Sequence, residues 1–284
     1  MADPEQINAD QCTFWNGQGG RTWVARQEHT DITFAPVSEA LLALAAARSG
    51  ERVLDVGCGC GASTLDIARA VGPSGRVAAF DISGPMLAEG QRRAEGAGIA
   101  NVDWQEADPA TAALGGYNLL VSNFGVMFFG DPVAAFAHLR SAAGLGARMV
   151  FVCWRPVAEN PWMKVPMDAV SPHLPPRPKA VPNAPGMFAF ANPERVAEVL
   201  TSAGWAPPRI DSLDLDLDIA AGRGLEEAVV QSTQIGAVNS WLRGQPAEVV
   251  TAAIASIREA FTAHLDGASV RLPGAMWLVS STPA

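Results

Sequence analysis

The stretch Arg52-Val53-Leu54-Asp55-Val56-Gly57-Cys58-Gly59-Cys60-Gly61-Ala62-Ser63-Thr64 sets the tightest limit on the fold. Val53, Leu54 and Val56 suit a buried strand, and Gly57, Gly59 and Gly61 follow at every second position. An amphipathic run begins at Ser63, with Leu65, Ala68 and Val71 on one face. The pattern predicts a strand, a tight glycine-rich turn and a helix. Glycines this close together let the backbone bend sharply and let a ligand approach bare main chain. Asp55, at the strand end, adds a carboxylate beside the turn.

Upstream, a helix is expected from Pro36, with Val37, Leu41 and Leu44 on one face and Gly50 as its stop. Residues 1–35 are polar and dotted with aromatics, and read as irregular or short-helical. Downstream, the helix after the turn ends at Gly72-Pro73. A second strand covers Arg76 to Asp81 and ends on an acid, and Ser83 caps a helix to about Ala97. Val102 to Ala107 is a third strand, closed by Asp108-Pro109. Tyr117 to Phe124 is nearly all apolar, as expected of a central parallel strand covered on both faces. Asp131-Pro132 starts a helix to Ala143, and Gly144-Leu145-Gly146 turns into a fifth strand, Met149 to Trp154. Strand and helix alternate five times by residue 155, which predicts a doubly wound α/β sheet. Ligands bind such sheets outside the carboxyl ends of the strands. Gly57, Asp81, Asp108 and Asn123 all fall there.

The pattern then changes. Residues 155–191 hold nine prolines and no clean period, too proline-rich for a regular element and too apolar for a free linker. This reads as an insertion over the strand ends. Asn192-Pro193 starts another helix, stopped by Gly204. Leu213 to Ile219 alternates Leu and Asp, the mark of a strand with one wet face. Residues 222–266 form a second insertion with helical patterning, and Val270 to Ser280 is the last strand.

At net charge −9, with no dense basic block, the chain is not expected to partner nucleic acid. No apolar run reaches membrane-spanning length, and no signal peptide is expected at the start. Cys12, Cys58, Cys60 and Cys153 lack zinc-ligand spacing and read as reduced thiols in a cytoplasmic protein. Cys58 and Cys60 lie near a helix N-terminus, which would favour a thiolate.

Two cofactors use a turn of this kind. Gly57-x-Gly59-x-x-Ala62 fits the dinucleotide fingerprint, whose third position accepts Ala. With Asp55 just ahead of it, the segment resembles motif I of the class I S-adenosylmethionine (SAM) dependent methyltransferases, hydrophobic-Asp-x-Gly-x-Gly-x-Gly. Gly125-Val126-Met127-Phe128-Phe129, with Asp131-Pro132 after it, is similar to a bacterial small-molecule subgroup. The resemblance covers residues 36–155, 192–219 and 267–284. It implies a Rossmann-like sheet of seven strands, the last antiparallel, with SAM as cofactor and S-adenosylhomocysteine as product. It places Gly57, Gly59 and Gly61 under the methionine end of SAM, with Asp55 near the ammonium. Asp81, 20 residues after Gly61, is the acid for the ribose hydroxyls. By the same resemblance, Ile82 and Met86 pack on the adenine, Asp108 accepts from its amino group, and Asn123 lies near the methionine end. Each also has a plainer alternative: a structural turn, a loop cap, a loop acid, core packing or an N-cap.

Methyl transfer is an in-line displacement at a sulfonium methyl, so positioning supplies much of the rate, and a base is needed only for a protonated acceptor. His29, in the N-terminal segment, and His173, in the Pro-rich insertion, are the catalytic candidates, with surface or core packing as the alternative. Trp15, Trp162, Met163 and Phe188 are candidate walls of an apolar acceptor pocket, or else core filling beneath a loop. No carboxylate or amide cluster suggests a metal. The expected organisation is one methyltransferase domain: an N-terminal lid (1–35), a SAM-binding core (36–155), a Pro-rich substrate insertion (156–191), more core (192–221), a helical insertion (222–266) and the last strand (267–284). The expected reaction methylates O, N or C of a small-molecule acceptor. An NAD(P)-dependent oxidoreductase using the same turn and a SAM-binding subunit without turnover stay open. So does the oligomeric state, a homodimer being one option.

Overall fold

In the computed structural model, which describes residues 4–177, 181 and 183–284, the strands fall where the pattern places them, except that the fifth and sixth begin earlier, at Ala143 and Arg209, so that Gly144-Leu145-Gly146 lies inside a strand, and that a two-residue strand, Leu265–Asp266, falls in the insertion read as helical. They are β1 (Arg52–Val56), β2 (Arg76–Asp81), β3 (Val102–Glu106), β4 (Tyr117–Asn123), β5 (Ala143–Trp154), β6 (Arg209–Asp218), β7 (Leu265–Asp266) and β8 (Ser269–Ser281). The order across the sheet is β3-β2-β1-β4-β5-β8-β6, and the short β7 pairs only with β8. β1 to β5 are parallel, while β8 runs antiparallel to both β5 and β6. This is the expected seven-stranded sheet with a small hairpin added. It differs from the dinucleotide-binding order 3-2-1-4-5-6, which has no antiparallel strand wedged near its edge. β1 and β4 are central: Val53, Leu54, Leu119 and Leu120 are fully buried, as strands covered on both faces must be. The strand order reverses between them, which opens the crevice that holds ligands in such sheets.

The helices are α1 (Pro4–Asn16), α2 (Gln18–Ala25), α3 (Gln27–Ala45), α4 (Ala62–Val71), α5 (Gly84–Gly96), α6 (Pro132–Ser141), α7 (Pro161–Val170), α8 (Pro193–Ser202), α9 (Leu225–Gln234), α10 (Gly236–Leu242) and α11 (Ala247–Thr262). Side-chain caps at Ser83, Asp131 and Asn192 start α5, α6 and α8 as expected.

Two expectations fail. The N-terminal segment is short-helical, one of its two readings, in α1 and α2, but α3 starts at Gln27 and carries Pro36 inside it instead of starting there. Pro36 costs the helix one hydrogen bond. Against that, His29, Thr30, Thr33, Val37, Leu41 and Ala45 form one buried stripe at helical spacing, and tertiary burial of a face outweighs local propensity. The stripe was hidden because its first turns are polar. Likewise the Pro-rich insertion contains a regular element: α7 has Pro161 in its first turn and Pro166 inside, and buries Met163, Pro166 and Val170. Residues 178–180 and 182 of that insertion, and 1–3 of the N-terminal segment, lie outside the described residues. The second insertion is helical as expected, with α11 packed on both α7 and α9. Among the described residues no helix is long and apolar enough to cross a membrane.

Candidate active site

The turn after β1 works through its backbone. Gly57, Gly59 and Gly61 have φ of +71°, +55° and +81°, a region that favours glycine. Gly57 N and Cys58 N donate to Phe80 O at 2.9 and 3.0 Å. Asp81 ties the turn to α5: one carboxylate oxygen accepts from Gly59 N at 2.8 Å, the other from Ser83 N at 2.9 Å. A Cβ on Gly57 would stand 2.7 Å from Gly125 Cα, and one on Gly125 would stand 2.4 Å from Val56 O. The turn and the loop after β4 therefore cross backbone on backbone. Ser122 stitches the crossing, donating from Oγ to Val56 O at 2.7 Å and accepting from Gly125 N at 3.0 Å. Neither Gly125 nor Ser122 was singled out for this from the sequence; the only signal is a glycine directly after a strand end.

One cavity of about 1540 Å³ opens at this crossing. A single small-molecule site takes about 300–1,000 Å³, so there is room for two ligands. Gly57, Gly59, Asp81, Ile82, Met86, Asp108 and Asn123 line it, as expected. Burial raises the Asp81 pKa, opposed by the backbone N–H groups it accepts from. Each Asp81 oxygen retains a lone pair for a hydroxyl donor. A Cβ on Gly59 would reach 3.0 Å from the Met86 methyl, so bare backbone and thioether already touch there. Asn123 donates from Nδ2 to Ser38 Oγ at 3.0 Å, and its Oδ1 is a buried acceptor without a partner. Asp108 is no N-cap, since residues 109–112 form a turn and not a helix: its Oδ1 accepts from Ala110 N at 2.8 Å within that turn, and Oδ2 from Asn8 Nδ2 at 2.9 Å, which ties α1 to the site. The exposed turn, the strand-end acid and the unsatisfied amide oxygen fit an adenosyl amino acid.

Three expected roles need correction. Asp55 does not line the cavity; it faces α4, accepting from Thr64 Oγ1 at 2.6 Å and Ser63 Oγ at 3.3 Å on one oxygen. Its other oxygen is buried and unpaired, and burial lifts its pKa to about 6. Alternation along β1 explains this, because the cavity is reached from the opposite face at Val56. Gly61 also turns away: a Cβ there would meet the Trp104 ring at 2.7 Å. No activated thiol is present at Cys58 or Cys60, since burial pushes both pKa values up, Cys60 to about 12.

The catalytic histidines are not supported either. His29 is buried behind the wall, with Nε2 3.0 Å from Ile219 O and Nδ1 3.2 Å from both Arg26 and Glu227. Burial pushes its pKa down. It pins α3 to the end of β6. His173 sits on a short 3-10 turn with Nε2 2.8 Å from Ser256 Oγ of α11, also off the wall. Sequence reasoning missed Asp31, a carboxylate that does line the cavity. Arg93 bridges it to the turn, donating to Asp31 Oδ2 and to Cys60 O, both at 2.6 Å. Burial outweighs this guanidinium and raises the Asp31 pKa.

The other end of the cavity is aromatic. Phe124 and Trp154 stack at 4.5 Å and 6°. Phe34 stands edge-on to Phe124, Trp154 and Trp162, and Trp154 lies 4.9 Å from Trp162. All four line the cavity, together with the expected Met163 and Phe188. Phe124 has φ +68°, a strained backbone for a bulky residue and a frequent mark of functional sites. Trp15 also lines the cavity, but at the other end from that expected. Ser83 Oγ donates to its carbonyl at 2.7 Å, and the next residue, Asn16, donates to Ile82 O at 2.7 Å, so α1 roofs the nucleotide side.

The family model for a methyltransferase domain matches residues 53–143. The nocamycin O-methyltransferase of Saccharothrix syringae is 31% identical over 206 residues, covering 68% of this chain and 72% of that protein. The chain belongs to the SAM-dependent methyltransferases. This membership sets the NAD(P)-dependent oxidoreductase aside. The aklanonic acid methyltransferase DauC of Streptomyces sp. (strain C5) is 32% identical over 120 residues, and the chain spans 54% of its length. Among solved structures, a putative methyltransferase from Bacillus halodurans shares the fold with a TM-score of 0.54 and 16% identity, covering 87% of this chain and 99% of that one. A Haemonchus contortus phosphoethanolamine N-methyltransferase, solved with S-adenosylhomocysteine, does so with a TM-score of 0.57 and 12% identity, covering 100% of this chain and 61% of that one.

Proposed function

We propose that this chain transfers the methyl group of SAM to an O, N or C atom of a small, planar, mainly apolar acceptor. The observation that carries this is one continuous cavity with Gly57, Gly59 and Asp81 at one end and the Phe34, Phe124, Trp154 and Trp162 box at the other. SAM supplies an already activated methyl on a sulfonium. Asp81 accepts the ribose hydroxyls, Ile82 and Met86 flank the adenine, and Asn123 Oδ1 accepts from the amino-acid end. Phe124, backed by Trp154 stacked on one of its faces, and Trp162 offer aromatic surface to an acceptor ring beside that end. Orientation of two bound partners is worth several orders of magnitude in rate without a base. The aromatic lining supports a planar acceptor, and the two relatives named for small molecules, aklanonic acid and nocamycin, support its size class. Buried thiols at Cys58, Cys60 and Cys153 fit a cytoplasmic setting.

Calorimetry with S-adenosylhomocysteine, SAM and NADH tests the cofactor. Methyl release from labelled SAM over a panel of planar phenols, acids and amines tests the reaction. Binding of S-adenosylhomocysteine and turnover of at least one acceptor class are expected. Absence of S-adenosylhomocysteine binding would refute the reading. Binding with no turnover of any panel member would favour the non-catalytic subunit.

A further inference from the structure

Charge is unevenly spread around the cavity. The acids that line it, Asp31, Asp81, Asp108 and Asp131, already accept hydrogen bonds from this chain. Two of the arginines that line it, Arg177 and Arg243, come from the two insertions, and among the described residues neither pairs with a carboxylate. Arg177 lies over the Trp241 ring at 5.4 Å, with Nη1 3.9 Å from Met167 Sδ. Among the described residues the guanidinium of Arg243, two residues beyond Trp241, donates to Asn239 Oδ1 alone, at 3.3 Å. In a chain of net charge −9, two guanidiniums without carboxylate partners close to one residue, Trp241, run against the overall balance; the third lining arginine, Arg21 of α2, makes no ion pair among the described residues either.

Their distance from the aromatic box follows from α7. Trp162 belongs to the box, and Met163 and Met167 both line the cavity. One turn of helix separates these methionines by about 6 Å. Through its contact with Met167 Sδ, the Arg177 guanidinium meets α7 one turn beyond Met163. A ring seated in the box and extended along α7 would bring its far end to the arginines. Guanidinium forks match carboxylate oxygens two to two, and weak hydration makes them suited to a pocket rim.

We infer that Arg177 and Arg243 form an anion subsite at the far end of the acceptor pocket, so that the acceptor is a planar molecule carrying a carboxylate remote from the methylated atom. This rests on the acceptor pocket proposed above and adds its charge class.

The test uses two fluorescent probes of the same ring system, pyrenebutyrate and pyrenebutanol, titrated into the full chain saturated with S-adenosylhomocysteine. The carboxylate should bind about tenfold tighter than the alcohol at low salt, with the preference shrinking as salt rises. The double variant Arg177→Gln, Arg243→Gln should bind both probes equally, with pyrenebutanol and S-adenosylhomocysteine affinities unchanged, and lysine at both positions should restore part of the preference. Equal affinity of the wild type for both probes would overturn the subsite while leaving the apolar pocket standing. So would a preference that survives in the glutamine variant. Binding of neither probe, with S-adenosylhomocysteine bound, would overturn the pocket reading and the subsite together.

Discussion

Asp55 offers a test whose size can be worked from its surroundings. It is fully buried, and only one of its oxygens has partners. Burial is the leading cause that lifts its pKa from 3.8 to about 6, with the Thr64 and Ser63 hydroxyls opposing. A native pKa above the unfolded one means that the folded state holds the extra proton between those values. Stability from this group is therefore full below 3.8 and lost as pH rises through about 6. The gap is worth about 3 kcal/mol in total, of which about 1.4 kcal/mol returns between pH 8 and pH 5. Asp55→Asn cannot ionise and lacks this dependence, while the other titrating groups, the raised Asp31 and Asp81 and the lowered His29, are shared and cancel in the comparison. Urea unfolding of ligand-free wild type and variant at the two pH values gives the quantity directly. Wild type should gain on the variant by about 1.4 kcal/mol on going to pH 5, or roughly 2–3 °C in Tm. A difference that stays constant would refute the argument, because it would mean that the buried carboxylate keeps an ordinary pKa.

The first two glycines of the turn separate folding from binding. Gly57→Ala places a Cβ against the Gly125 backbone and should lower stability by more than 2 kcal/mol in urea, on the order of other strained backbone positions, whereas Gly59→Ala meets only a movable Met86 methyl and should fold but lose S-adenosylhomocysteine binding in calorimetry. Asp81→Ala removes a charge-assisted acceptor and should weaken S-adenosylhomocysteine by about 2–3 kcal/mol; an unchanged affinity would take Asp81 out of the site.

What could be read from the sequence was what backbone chemistry restricts. A strand that must end in a left-handed turn needs glycines, and an acid closing the next strand at Asp81 lies beside them in any parallel pair, so this half of the site was legible. Helix starts marked by Ser83, Asp131 and Asn192 were legible for the same local reason. α3 was not, since His29, Thr30 and Thr33 replace apolar residues along its buried stripe and Pro36 imitates a start. The aromatic box was read only at Trp162. Phe34, Phe124 and Trp154 come from a helix and two strand ends, and only tertiary packing brings them together. Nothing in the identity of Phe124 announces its positive φ. The face of Asp55 also stayed hidden, because a motif names a residue without saying which side of the strand it takes.

The failure of the histidines bears on how protons are handled. A lowered pKa alone would suit His29 as a base, but a base must first reach the proton it takes. His29 instead holds Ile219 O from behind the wall, and no histidine, lysine, glutamate or tyrosine lines the cavity among the described residues. The thiols there are held protonated by burial, which leaves Asp31 as the one lining acid whose raised pKa is not also tied to the turn backbone. The dependence of turnover on pH should then follow the acceptor. A phenol should be methylated faster as pH rises toward its own pKa, and a carboxylic acid should show a flat rate above about pH 6. His29→Gln should lower the melting temperature, through its lost contacts to Ile219 and Glu227, and leave both profiles in place. An inflection below pH 6.5 that is common to both acceptors and vanishes in His29→Gln would show that the histidine reaches the reacting atoms, and that positioning alone does not account for the rate.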